Sequence, residues 1–308
     1  MLSSVLLQAS RSPLVRRAVV GVPVTRRVVD RFVAGESIDS AVRAVRELRA
    51  QGLHVTLDHL GEDTRDAAQG AAIRDAYTAL LATLAHDGLA DRAEVSVKLS
   101  ALGQALPVDG EKIALENARA VCEAAAQAGT SVTLDMEDHT TTDSTLSVLR
   151  ELRQDFPSVG AVLQSMLRRT EQDCRELASP GSRVRLVKGA YAEPASVAHT
   201  RRRDVDDSYV RCVNILMHGG GYPMVGSHDP RMIQAAAQAA RAAGRAPGTY
   251  EFQMLYGIRA DEQRRLADAG ELVRVYVPFG TDWYGYFMRR LAERPANVGF
   301  FLRALAGR

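Results

Sequence analysis

From residue 53 onward the sequence alternates short runs of β-branched and aliphatic residues with longer amphipathic runs, and no other feature constrains the fold as tightly. Strand-like runs fall at 53–58, 94–98, 131–135, 160–164, 183–188, 224–228, 249–253 and 271–277. Helical runs follow them at 65–87, 111–128, 141–155, 171–178, 202–218, 230–243, 261–269 and 283–294, several closed by glycine, as at Gly129, Gly219 and Gly270. Eight βα units at this spacing predict an α/β protein, a (β/α)8 TIM-like barrel. Helices over 28–51 stand in front of it. The expected organisation is therefore an N-terminal helical extension over residues 1–52 and the barrel over 53–308, with no Pro-, Gly- or Ser-rich linker. An open doubly wound sheet is the alternative, but no GxGxxG turn follows the first strand.

A chain of 308 residues fits one such barrel, which takes about 250 residues, plus an extension. Hydrophobic residues at 46% and charged residues at 25% exclude a disordered or coiled-coil class. A net charge of +2 argues against nucleic acid as a partner. Cys122, Cys174 and Cys212 lie far apart without CxxC spacing, so a reduced cytoplasmic protein is expected rather than a disulfide framework or a zinc site. No run approaches the roughly 18 apolar residues of a spanning helix. Residues 1–33 carry Arg11, Arg16, Arg17, Arg26, Arg27 and Arg31 with no acid before Asp30. That composition suits a transit peptide, a basic lead-in helix, or peripheral contact with the inner face of a membrane.

Alternate residues of a barrel strand face the interior and the surrounding helices. Val55 and Leu57 would face helices and His54, Thr56 and Asp58 the interior. The same parity sends Ser96, Lys98, Thr133, Asp135 and Arg185 inward, against Val95, Val97, Val132, Leu134, Val184 and Leu186 outward. Barrel interiors are usually filled by branched apolar side chains, so polar residues late in their strands mark a site at the carboxyl-terminal mouth.

Three chemistries compete for that mouth. Lys98 or Lys188 could form a Schiff base as in barrel aldolases, although Lys188 has outward parity. Asp135, Glu137, Asp138, His139 and His228 could hold a metal, but no HExxH or HxH spacing supports one, and none is expected. The last helix suggests the third. Its stripe of Tyr286, Arg289, Arg290 and Glu293 borders an apolar stripe of Phe287, Met288 and Leu291. Two guanidiniums at a packing face suit a small carboxylate, which an arginine can grip through two hydrogen bonds.

At this point several runs resemble proline dehydrogenase, the flavin-dependent (β/α)8 family. They are residues 53–62 (Leu-His-Val-Thr-Leu-Asp-His-Leu-Gly-Glu), 96–100, 134–137 (Leu-Asp-Met-Glu), 185–191 (Arg-Leu-Val-Lys-Gly-Ala-Tyr), 226–229, 252–257 and 276–293. They lie at strand ends in the order the family requires. The resemblance runs from about residue 30 to the end, and it matches the stand-alone form rather than long bifunctional relatives fused to an aldehyde dehydrogenase.

The resemblance implies oxidation of L-proline to 1-pyrroline-5-carboxylate by hydride transfer from C5 to N5 of non-covalent FAD. It also implies a membrane quinone as electron acceptor and a separate pyrroline-5-carboxylate dehydrogenase acting next. Lys98, Arg289 and Arg290 would grip the proline carboxylate, with Tyr276, Tyr286 and Leu255 around the ring and Glu293 orienting the arginine pair. Arg185 would serve the flavin N5 region, and Asp135 would pair with Lys98. Met136, Gln164, Lys188, Gly189, Ala190, Tyr191, Ser227 and His228 would line the flavin. Two positions depart from the family: Ala192 stands where long relatives carry an aromatic, and Asp229 where others have Asn.

Overall fold

A computed structural model describes residues 29–61 and 64–293. The basic run at 1–28, Glu62 of the first motif and the chain after Glu293 lie outside the described residues.

The strands are β1 (His54–His59), β2 (Ala93–Val97), β3 (Val132–Leu134), β4 (Gly160–Gln164), β5 (Arg183–Val187), β6 (Tyr222–Gly226), β7 (Glu251–Leu255) and β8 (Val273–Phe279). Each pairs in parallel with its sequence neighbour, and β8 closes on β1 through six residue pairs from His54↔Arg274 to His59↔Phe279. Helices α1 (Ile38–Ala50), α2 (Ala67–His86), α3 (Gly110–Gln127), α4 (Thr142–Asp155), α5 (Thr170–Leu177), α6 (Arg202–His218), α7 (Pro230–Ala242), α8 (Ala260–Asp268) and α9 (Trp283–Glu293) surround it, α1 ahead of the first strand and the others after successive strands. The (β/α)8 TIM-like barrel expected from the alternation is the fold observed.

Local chemistry sets several starts. The Ser37 and Ser40 hydroxyls each meet the other's backbone N–H, a reciprocal cap that begins α1. Asp229 caps α7, whose first residue, Pro230, has no N–H to satisfy. β6 lies two residues earlier, and β7 and β8 two residues later, than the sequence pattern suggests, and at β7 the cause is local. Thr249 bonds back to Ala246 through both its amide and its hydroxyl, so 246–249 is a turn and the ladder cannot begin there.

The outward set of strand residues is as parity requires. Val55, Leu57, Val95, Val97, Val132, Leu134, Val184 and Leu186 are buried in one apolar cluster with Leu80, Leu81 and Leu84 of α2, Val121 of α3 and Leu149 of α4. A second cluster is separate. Val29, Phe32 and Val33 pack with Leu60 against Trp283, Tyr284, Phe287 and Met288 of α9, and the Trp283 indole donates to Glu36. The segment ahead of the barrel thus braces its last helix.

Candidate active site

Side chains that point into the barrel interior meet there from adjacent and non-adjacent strands, and here carboxylates and guanidiniums hold them together. Glu94 of β2 accepts from Arg183 of β5 at 2.6 Å and from Thr56 of β1 at 2.8 Å. Glu251 of β7 receives Arg274 of β8 through Nε at 2.7 Å and Nη2 at 3.1 Å, and the Tyr222 hydroxyl at 3.1 Å. Burial alone would push the Glu94 carboxyl up, but Arg183, Arg274 and Arg185 outweigh it and hold it well below its ordinary value. These residues open their strands rather than end them. The interior is therefore polar well below the mouth, where the usual barrel is apolar.

Above this floor, Arg185 spans the barrel. Its Nη1 donates to Asp135 Oδ1 at 2.7 Å and to Ser96 Oγ at 3.0 Å, and its Nε donates to Gln253 Oε1. Nη2 is buried without a hydrogen-bond partner, 3.7 Å from Glu94. The remaining oxygen of Asp135 accepts the Tyr276 hydroxyl at 2.6 Å, and the Arg185 guanidinium lies 5.4 Å from the Tyr276 ring centroid. Burial, with Asp135 and Asp58 nearby, pushes the Tyr276 phenol well above its ordinary value, which keeps it a donor.

The expected pairing of Lys98 with Asp135 is present, but as the longer of two ion pairs. Lys98 Nζ donates to both oxygens of Asp58, at 3.0 and 2.9 Å, and Asp135 lies farther off at 3.9 Å. The reason is competition: Ser96, Arg185 and Tyr276 already occupy the Asp135 oxygens. Asp58 was legible as an inward residue by parity but carried no assigned role.

Lys188 follows its outward parity. Its ammonium bonds to Asp206 of α6 and, at 2.8 Å, to Asp229, while the residue still lines the cavity. Asp229 also accepts Arg231 through its backbone amide and its guanidinium. Although burial acts to raise it, those bonds hold the Asp229 carboxyl well below its ordinary value. An Asn there would offer one acceptor oxygen in place of two, set an N–H2 donor against one of these cationic donors, and carry no charge. Ala192 is exposed and offers no ring to stack on.

One cavity of about 630 Å³ opens at the carboxyl ends of the strands. Lys98, Asp135, Met136, Gln164, Arg185, Lys188, Gly189, Ala190, Tyr191, Ser227, His228, Leu255, Tyr276, Tyr286 and Arg290 all line it. The helix α9 places Tyr286 and Arg290 one turn apart, with the guanidinium 5.0 Å from the Tyr286 ring centroid. The side chains of Arg289 and Glu293 lie outside the described residues. Asp58, Gln253, Arg202 and Asp229 line the cavity too and had no role assigned from sequence.

The wall fits a flavin by the chemistry of its donors. Arg185, Gln164 and Ser227 offer hydrogen-bonding groups deep in the cavity, and Lys188 and Arg202 make a cationic rim suited to a pyrophosphate. His228 Nε2 accepts the Leu255 amide at 2.9 Å, which leaves the imidazole proton on Nδ1. Gly189 has φ +104°, and a Cβ there would lie 2.0 Å from Met166 Sδ, so only glycine lets 188–191 run along this wall. Among the described residues no group of three His, Cys, Asp or Glu side chains is placed to hold a metal ion. Both candidate Schiff-base lysines are held in ion pairs.

Comparison with known proteins agrees with this geometry. The family model described as "Proline dehydrogenase" matches residues 41–303. The proline dehydrogenase of Deinococcus radiodurans is 42% identical over 280 residues, covering 90% of both chains. Proline dehydrogenase 1 of Bacillus subtilis strain 168 is 39% identical and covers 91% of both. Among solved structures, proline utilization A (PutA) from Bdellovibrio bacteriovorus, inactivated by N-propargylglycine, superposes with a TM-score of 0.80 at 27% identity. That match covers 87% of this chain and 32% of the other, so the chain spans about a third of that longer protein.

Proposed function

This chain belongs to the proline dehydrogenase family, an enzyme of proline catabolism, and from that premise we propose that it oxidises L-proline to 1-pyrroline-5-carboxylate with non-covalent FAD. The observation that carries the reading is the convergence of Lys98, Arg185 and Arg290 with Tyr276 and Tyr286 on one cavity at the barrel mouth. Bound FAD would supply, at N5, the two-electron acceptor for the hydride from C5 of proline, whose nitrogen would lose a proton as the C5–N double bond forms, and a membrane quinone would take the electrons on.

The chain's own residues bind, orient and polarise. Arg290, with Arg289 beside it on α9 and Lys98 across the mouth, meets the substrate carboxylate, and Glu293 orients the arginine pair. Tyr276, Tyr286 and Leu255 enclose a small ring. Asp58 holds the Lys98 ammonium in place, and Asp135 holds both the Tyr276 hydroxyl and Arg185. Arg185 presents a fixed positive charge where negative charge develops on the cofactor. Met136, Gln164, Ser227, His228 and the 188–191 wall cradle it. A separate pyrroline-5-carboxylate dehydrogenase then consumes the product.

Among the described residues no helix is long and apolar enough to cross a membrane. A cytoplasmic enzyme touching the inner membrane face would reach the quinone there.

An absorption spectrum of the purified protein tests the reading. It should be yellow, bleach on anaerobic addition of L-proline, and release all its flavin into the supernatant on acid precipitation. A protein loaded with FAD that proline fails to bleach would sink the assignment, and colour left in the pellet would sink the non-covalent cofactor.

A further inference from the structure

Arg185 is held from two sides by groups of different charge. On the β2 and β3 side the carboxylate of Asp135 takes Nη1. On the β7 side the neutral amide of Gln253 takes Nε. A planar guanidinium bonded at both Nε and Nη1 cannot turn about its Nε–Cζ axis or swing along the barrel without breaking one of them.

The orientation of that amide is itself determined. Gln253 Nε2 donates to Glu251 Oε1, and Gln253 Oε1 accepts from Arg185. Flipping the amide would set its N–H2 against a guanidinium that has only donors and its carbonyl against a carboxylate that has only acceptors. Glu251 is fully buried and is in turn fixed by two hydrogen bonds from Arg274 and one from Tyr222. Gln253 is 4% exposed and lines the cavity together with Arg185. A chain of hydrogen bonds therefore joins the mouth to the floor: Arg185 donates to Gln253, Gln253 donates to Glu251, and Glu251 also accepts from Arg274.

The neutral link has a consequence. A carboxylate at position 253 would give Arg185 a second anionic partner beside Asp135 and cancel its charge. The amide passes on the fixed position of Glu251 but not its charge, which Arg274 already balances.

We propose that Gln253, oriented by Glu251, is a positioning residue that fixes the Arg185 guanidinium in the cavity while leaving its positive charge to act on the bound flavin. The proposal rests on the reading of the site as a flavin site.

The test uses the FAD-loaded full chain with Gln253→Met, which keeps side-chain volume and leaves no new charge unpaired, and Gln253→Asn, which is too short to bridge Glu251 and Arg185. Two readouts are taken on the loaded fraction: the midpoint potential of the flavin by dye titration without proline, and the rate of flavin reduction as proline is varied. Both variants should have a lower potential than the parent, because a displaced Arg185 stabilises reduced flavin less. The limiting reduction rate should fall about tenfold, roughly 1.4 kcal/mol, with KM for proline changed by less than about threefold. Glu251→Gln, which can still accept from Gln253 Nε2, should recover most of the potential. Parent-like potential and limiting rate in whichever Gln253 variant folds would overturn the proposal, whatever happens to thermal stability. Failure of the underlying reading looks different: the parent protein itself would not be bleached by proline.

Discussion

The floor and the mouth of this barrel are built from the same residue types and do different work. On the floor, the buried Glu94 and Glu251 meet the partly buried Arg183 and the buried Arg274, and each carboxylate is bonded from several sides. At the mouth, Asp58 and Asp135 meet Lys98 and Arg185 in equally short pairs, but these line a cavity, and α9 adds Arg290 to the same wall. A closed network has nothing left to offer a ligand. An open one can share its cations with an anion that arrives, because water or ligand can take up the coordination that the protein leaves over. The difference teaches that charge in a barrel interior marks a site only where the network borders a cavity.

The largest effect expected from breaking the floor is on stability. Glu94→Ala removes the carboxylate shared by three guanidiniums and leaves the buried Arg185 and Arg274 and the partly buried Arg183 undercompensated, which should cost about 3–5 kcal/mol. Chemical denaturation of the variant against the parent measures it. A loss under about 1 kcal/mol would mean that the floor does not hold the barrel together.

The corresponding break at the mouth should spare stability and hit catalysis. Arg290→Met is expected to lower kcat/KM for proline by about 30-fold or more, the low end of the roughly 2–5 kcal/mol for removing one partner of a desolvated charge pair. Flavin content should stay near that of the parent. Equal losses of flavin and activity would instead assign Arg290 to the scaffold, like the floor arginines.

Within the mouth, a double-mutant cycle separates the two candidate partners of Lys98. Combining Lys98→Met with Asp58→Asn should reveal a coupling of about 1–2 kcal/mol in kcat/KM, because the groups are in contact at 2.9 Å. Combining it with Asp135→Asn, at 3.9 Å, should give a smaller coupling, about 0.5 kcal/mol. The reverse order would restore Asp135 as the holder of Lys98.

The fold was legible because alternation and parity depend on local sequence, and the same parity brought Ser96, Lys98, Asp135 and Arg185 together. Partner choice was not legible. Lys98 stands between two carboxylates on flanking strands, and only the competition of Ser96, Arg185 and Tyr276 for Asp135 hands it to Asp58. Gln253 was missed because it is a neutral amide with no charge to single it out; the two-residue shift of β7 keeps every residue on its own face. The polar floor was missed because residues early in a strand were not weighed as charge partners across the barrel.

The smallest effect concerns pH and sharpens the contrast from the floor. His54 opens β1 beside Arg274, and burial, with the Arg274 charge adding to it and Glu251 opposing, lowers its pKa from 6.5 to about 4. Arg92 acts in the same direction as Arg274, and Asp91 against it. Between those values the unfolded chain binds a proton that the folded chain refuses, so unfolding free energy falls as pH is lowered through this window. Glu94 and Asp229 have lowered values as well, but their ordinary values are 4.5 and 3.8, so they weaken the fold only below the upper part of that window. The slope between pH 6.5 and 4.5 is thus set mainly by histidine. His59, near the mouth, is lowered by burial too, but there Asp58 pulls it back. Replacing His54 by Asn should flatten the slope by about 1 kcal/mol across the window, a figure discounted for the partial exposure of the imidazole, and His59→Asn should flatten it less. Denaturant titrations at pH 6.5 and 4.5 on both variants decide it. An equal or larger effect from His59 would show that the mouth, not the floor, is the region that resists an added positive charge.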